Sequence, residues 1–181
     1  MKTIIAYTDG SAVVSGENKG KGGLGVYFPN FNGRPRGVHR GFRNTKTGRV
    51  EIMALIYAIR SFDKNDTELT TLKVYSDSQY VVKSFTEKRL EKWVLNGWRN
   101  TTGNVKNRDL WETLLNEIDV RKHFLTLEIE WIKAHQIEKE KDAKLKEELK
   151  NNPHIIGNAM ADKLADKWRC GDNLKEDLKI I

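Results

Sequence analysis

An α/β fold with a five-stranded mixed sheet, helices on both faces, is predicted by three features of the chain. Two short β-branched apolar runs, Ile4-Ile5-Ala6-Tyr7-Thr8 and Thr71-Leu72-Lys73-Val74-Tyr75-Ser76, each end on an acid, Asp9 and Asp77. Between them Ile52, Leu55, Ile56, Ile59 and Phe62 recur at helical spacing. A strand-helix-strand crossover of this kind runs its two strands parallel and turns right-handed. The third feature is a pair of runs, Leu24 to Phe28 and Gly37 to Phe42, split by the turn signal Pro29-Asn30-Phe31-Asn32-Gly33. They extend the first strand into an antiparallel meander. Strands 1 to 3 are therefore expected antiparallel, and strands 4 and 5 parallel to the first.

Taken in order, strand 1 stops at Gly10 and leaves Asp9 at its mouth, where a carboxylate is costly to keep charged unless a cation or donors face it. Ala12 to Gly23 reads as a loop by composition. From Asn18 to Val50 the chain carries eight Lys or Arg residues and no acid, so this edge is expected to be electropositive. Thr47 is a candidate N-cap for a first amphipathic helix from about Arg49 to Ser61, with Glu51 in its first turn. There a helix dipole also favours an anion.

A second helix starts at Ser78-Gln79-Tyr80. Between Lys83 and Arg108 seven basic residues, Lys92 and Arg99 among them, interleave with Trp93 and Trp98, against two glutamates. Such a mixture suits phosphate contact with stacking or sugar packing, and it equally suits a helix pair whose tryptophans are core. Asp109 to Asp119 reads as a helix and Leu125 to Ile132 as the fifth strand. Glu138 to Lys150 balances five acids with five lysines and has little burial face, so a charged, solvated, mobile and helical insertion is expected at about 137–153. A last helix is expected from Asn158 to Trp168, carrying Asp162, followed by a weakly determined tail over 172–181.

The bulk properties fit one domain over 1–181: 38% apolar residues in 181 support one core. A net charge of +7 and a pI near 9.4 permit a polyanion as partner. A single cysteine, Cys170, excludes an internal disulfide and fits a reducing compartment. Met1-Lys2 leads straight into strand 1 and no apolar run reaches a membrane span, so a soluble, cytoplasmic, monomeric protein is expected.

The predicted topology brings Asp9 and Asp77 to neighbouring strand ends, with Glu51 and Asp162 on helices. Two bare carboxylates about 4 Å apart repel by about 4 kcal/mol at an effective dielectric of 20, so four together call for divalent cations. Oxygen donors without Cys or His at zinc spacing favour Mg²⁺, with Mn²⁺ as substitute. Two such ions form a known clamp for in-line displacement at a phosphodiester.

The chain also resembles a known family. Thr8-Asp9-Gly10-Ser11, Gly22-Gly23-Leu24-Gly25, Arg49-Val50-Glu51, Ser76-Asp77-Ser78-Gln79-Tyr80-Val81, Gly97-Trp98, Val105 to Trp111, Trp131-Ile132-Lys133-Ala134-His135, Gly157-Asn158 and Ala161-Asp162 are similar, in order, to motifs of type 1 ribonuclease H. The resemblance implies the RNase H-like fold, with Asp9, Glu51, Asp77 and Asp162 as metal-binding catalytic acids and His135 as the histidine that assists turnover. It implies Mg²⁺-dependent hydrolysis of RNA in an RNA–DNA hybrid, leaving 5′-phosphate and 3′-hydroxyl ends. Ser11, Asn18, Arg49, Gln79, Lys92, Trp93, Trp98 and Arg99 fall where the family handles nucleic acid, Gln79 at the minor groove, where 2′-hydroxyls mark RNA.

Three departures stand out. Gly48 precedes Arg49 where the family usually has Asn, Ala134 precedes His135 where Gly is usual, and the interval from His135 to Asp162 is long. His154 lies nearer Asp162 and is a rival to His135, which is favoured by its Trp-Ile-Lys-Ala-His context. Asp166 is read as a solvated helix charge rather than a fifth ligand. Two other readings stay open: a hybrid-binding module without activity, and a nuclease or integrase of the same topology that acts on DNA.

Overall fold

A computed structural model describes residues 2–134, 141–170 and 174–177. Strands β1 (Lys2–Ala12), β2 (Gly22–Phe31) and β3 (Arg34–Arg43) form the antiparallel meander. Helix α1 (Thr47–Ile59) crosses to β4 (Thr70–Ser76), which lies parallel to β1 from Lys2↔Thr70 to Thr8↔Ser76. Helices α2 (Gln79–Thr86) and α3 (Arg89–Leu95) lead to a short ribbon, β5 (Arg99–Asn100) and β6 (Gly103–Asn104), and then to α4 (Arg108–Asp119). β7 (Leu125–Trp131) pairs parallel with β4. Helices α5 (Ala143–Lys150) and α6 (Pro153–Ala165), a 3₁₀ turn (Asp166–Cys170) and β8 (Lys175–Glu176) complete the described chain.

The sheet has six strands, in the order β7-β4-β1-β2-β3-β8, where five were expected. The sixth comes from the tail: β8 pairs parallel with β3 at Phe42 and Arg43. Two residues without an apolar alternation carry no strand signal, and only the partner edge makes them one.

Side chains alternate across the sheet and so divide the interior in two. Ala6, Leu24, Val26, Leu72 and Val74 join α1 and α4 in the main core, whereas Tyr7 and Tyr75 face the other way and meet Ala161 of α6. Helix α1 was expected to be amphipathic, yet Val50, Ile52 to Ile56, Ala58 and Ile59 are all fully buried, because α4 covers the side away from the sheet. Its N-cap is Lys46 without a side-chain cap bond, and Thr47 is already helical.

The last helix starts at Pro153 rather than near Asn158. Asn152 caps it, accepting from the His154 amide at 2.9 Å, and Pro153 fills the first turn where its missing N–H costs nothing. The expected insertion therefore yields its final residue to α6. Within residues 137–153 lies α5, capped by Asp142. Residues 135–140, His135 included, lie outside the described residues.

Candidate active site

The four acids come from four elements that meet at one sheet edge. Thr8 and Ser76 are the last paired row of β1 and β4, so Asp9 and Asp77 follow side by side. Gly10 brings in α1: a Cβ there would stand 2.5 Å from the Glu51 amide nitrogen and 2.7 Å from the Val50 carbonyl carbon. Only the bare backbone lets α1 lie on β1 and deliver Glu51 to Asp77. Gly25 does the same for α6, since a Cβ would collide with the Ala161 carbonyl oxygen. Asp162 reaches Asp9 from that helix. All four acids are half-buried.

Their electrostatics show how closely they are coupled. Burial pushes the Asp9 carboxyl up to about 8, the neighbouring charges of Asp77 and Asp162 adding to it, while the Gly10 amide, donating to Asp9 Oδ1 at 2.7 Å, opposes. Asp162 acts on Asp9 through its charge and through the contact of the two carboxyl groups, both of which raise Asp9. Burial lifts Glu51 to about 7, Asp77 adding to it, and a hydrogen bond from Ser78 opposes. Among the described residues no three His, Cys, Asp or Glu side chains stand in the spacing of a ready metal cage. The acids are coupled in pairs through Asp9 and Asp77.

Two positioning residues carried no assigned role in the sequence reading. Ser78 caps α2, its Oγ accepting from the Val81 amide at 3.3 Å, and also bonds Glu51. Asn158, one turn before Asp162, donates from Nδ2 to Asp77 Oδ2 at 3.3 Å, and its own Oδ1 is buried without a partner among the described residues. The signals were a serine after a strand-ending acid, where caps sit, and an amide four residues before another acid. Trp131 donates from Nε1 to the Asp77 carbonyl at 3.2 Å.

His154 lies in the first turn of α6. Its Nδ1 is 3.1 Å from the Tyr7 hydroxyl, and its ring centroid is 4.3 Å from that of Tyr75. Tyr7 and Tyr75 sit two residues below Asp9 and Asp77 on the same sheet face, so this histidine packs beneath the acids. Asp166 pairs with Arg169 at 3.2 Å, as a solvated helix charge should.

Of the residues expected to handle nucleic acid, Asn18, Gln79, Lys92 and Arg99 are exposed and Ser11 is half-buried. Trp98 is not available for stacking: it is 8% exposed, and Trp93 packs on the core against Trp111 at 5.8 Å. Arg49 is held by carboxylates on both sides, with Nε 2.6 Å from Asp177 and Nη2 2.6 Å from Asp109.

The sequence profile of the RNase H family matches residues 1–169. The chain belongs to the RNase H family. Ribonuclease HI of Synechocystis sp. is 34% identical over 158 residues, covering 85% of this chain and 92% of that protein. Ribonuclease HI of Xylella fastidiosa is 38% identical over 136 residues, 75% and 82% of the two chains. Among solved structures, the foamy virus RNase H domain superposes with a TM-score of 0.64 at 24% identity, covering 91% of this chain and 93% of that one. LC9-RNase H1, described as a type 1 RNase H with the type 2 active-site motif, gives 0.66 at 21%, covering 91% and 70%. As an RNase H the chain is a hydrolytic nuclease of a family that cuts the RNA strand of hybrids. β8 and Asp177 lie beyond the matched segment. No helix among the described residues is long and apolar enough to cross a membrane.

Proposed function

We propose that the chain is a single-domain, monomeric, cytoplasmic endoribonuclease that hydrolyses RNA in RNA–DNA hybrids by two-metal-ion catalysis. The observation that carries this reading is the set of coupled, half-buried acids at the β1 and β4 ends, with Asp9 lifted to about 8. An all-carboxylate donor set suits Mg²⁺ or Mn²⁺, and a cation would relieve the crowding of negative charge that raises Asp9. Asp9, Glu51, Asp77 and Asp162 would hold it. When bound, the two ions supply Lewis-acid charge at the attacking water and at the leaving oxygen.

The chain's own groups do the rest. Ser78 orients Glu51, Asn158 orients Asp77, and the Gly10 amide steadies Asp9. In-line attack of water on phosphorus breaks the bond to the 3′ oxygen, leaving a 3′-hydroxyl and a 5′-phosphate. His135 assists turnover, and Gln79, exposed at the start of α2, reads a 2′-hydroxyl in the minor groove. Basic Lys92 and Arg99 hold the backbone, with Ser11, Asn18 and Arg49 bordering the groove.

Labelled RNA–DNA hybrid, RNA duplex and DNA duplex, each with Mg²⁺ and with EDTA, test the reading. Cleavage of the hybrid's RNA strand alone, in Mg²⁺ alone, is expected. Cleavage of DNA would move the chain to the DNA-directed nucleases of this topology, and binding without cleavage would make it a hybrid-binding module.

A further inference from the structure

The chain has eleven arginines, and six of them (Arg49, Arg60, Arg89, Arg108, Arg121 and Arg169) are in ion pairs. The exceptions, besides Arg99, all lie on β3: Arg34, Arg36, Arg40 and Arg43 are exposed and have no ion pair among the described residues. Arg34, Arg36 and Arg40 occupy even positions and share the sheet face on which Phe42 is buried and Val38 is half-buried against the core. β8 covers β3 only at Phe42 and Arg43, so the edge from 34 to 41 is open among the described residues.

Two of these guanidinium groups are set in place. Arg36 lies over the Phe31 ring at 4.6 Å and Arg40 near the Tyr57 ring at 5.9 Å. Arg40 Nη1 also donates to the His39 carbonyl at 2.7 Å. An aromatic support orients the plane of the cation while leaving its other donors exposed, which lowers the entropy lost on contacting an anion. A cavity of about 620 Å³ lined by Phe31, Asn32, Arg34, Pro35, Arg36 and Gly37 opens at the far end of the row. On the opposite face of the same strand, burial lowers the His39 pKa, with Lys167 and Arg40 adding to it, as a positive edge requires.

The row has a direction. β3 runs parallel to β1 because each is antiparallel to β2, so the end carrying Arg40 and Arg43 lies at the sheet edge of Asp9. From Arg40 to Arg34 the strand spans about 20 Å at about 3.4 Å per residue. Phosphates of one strand within a duplex are spaced about 3.4 Å along the axis and those of an unpaired strand lie farther apart, so the row spans at most about six of them.

We propose that the Arg34-Arg36-Arg40 edge binds the sugar-phosphate backbone of a single strand that extends beyond the hybrid held at the acids. This rests on the hybrid-cleavage reading for the origin of the strand. Charge complementarity selects the occupant, since a row of cations without acids fits a polyanion.

The test is fluorescence anisotropy in EDTA with a blunt hybrid, the same hybrid with a single-stranded DNA extension, and one with an RNA extension, over a range of salt. The triple variant R34A/R36A/R40A is expected to lose about tenfold or more in affinity for an extended hybrid. Its log–log salt slope should shrink by about 2, at about 0.7 for each lost single-strand phosphate contact. Binding and Mg²⁺-dependent cleavage of the blunt hybrid should not change, and the arm that loses affinity names the strand. Arg36→Glu gives a second, single-site reading. An unchanged slope on both extended hybrids would overturn the inference, as would a dimer in gel filtration that the triple variant abolishes, which would make the edge a contact between copies. Failure of the wild type to cut any hybrid would defeat the catalytic reading alone, because binding of the extension is read without metal.

Discussion

Arg49 on α1 is clasped by Asp177, 128 residues further along, through bonds of 2.6 and 3.2 Å, while Asp109 of α4 takes its other donors at 2.9 and 2.6 Å. The Asp177 side chain is 6% exposed and that of Arg49 17%. One cation thereby ties the tail, α4 and the helix that carries Glu51.

Removing Asp177 should therefore loosen the tail and α1 together. Asp177→Ala is expected to cost about 1–3 kcal/mol in urea unfolding, less than a fully orphaned buried charge, because Asp109 still binds Arg49. Asp109→Ala should be similar, and the double variant non-additive. A loss below 0.5 kcal/mol, about the size of a surface change, would show that the tail is not anchored there.

Stability without metal should fall as pH rises. Folding raises Asp9 from 3.8 to about 8 and Glu51 from 4.5 to about 7, so the folded state binds more protons across that window. What these groups allow is fully present below pH 4 and is lost as pH climbs through 7 and 8. Urea midpoints in EDTA should decline over this range, and saturating Mg²⁺ should flatten the decline. A midpoint that rises with pH would mean the acids are already neutralised by other groups.

Asp77→Asn should abolish hybrid cleavage while leaving melting temperature in EDTA unchanged or higher at pH 8, because one of the charges that raises Asp9 is gone. Retained Mg²⁺-dependent cutting would remove Asp77 from the site.

Ser78→Ala removes both a helix cap and the bond that lowers Glu51. A loss of about 1 kcal/mol is expected from the cap. The distinguishing readout is the Mg²⁺ concentration for half-maximal rate, which should rise as Glu51 holds its proton more tightly. Ser78→Thr should restore both; an unaltered Mg²⁺ requirement in Ser78→Ala would confine Ser78 to capping.

The two histidines should part in different ways. His135→Ala is expected to lower the cleavage rate about 100-fold or more with folding intact, the scale of a lost proton-transfer group. His154→Ala should instead destabilise, having lost the Tyr7 hydroxyl and the Tyr75 ring, with little change in rate. The reverse outcome would transfer the role.

Much of this was readable along the chain because it depends on local order. Apolar runs closing on Asp9 and Asp77 set two parallel strand ends, and the helical spacing around Ile52 to Phe62 set the crossover between them. Periodicity and breaker residues act over a few neighbours, so they leave a trace in linear order. The start of α6 was also written locally, in Asn152-Pro153, but the charged stretch before it obscured the cap.

What no window of residues could show is who meets whom across the fold. Nothing near Lys175 marks it as a strand, since its hydrogen bonds come from the β3 edge. The sequence leaves Trp98 open as a platform for bases or as core, and it is core, because the turn at Gly97 and Trp98 folds the ring inward. Asp162 raises the Asp9 carboxyl only because α6 crosses the sheet at Gly25. Burial and charge coupling arise from three-dimensional proximity, and Asp162, 153 positions further along, acts on Asp9 only when the packed chain takes the water from between them.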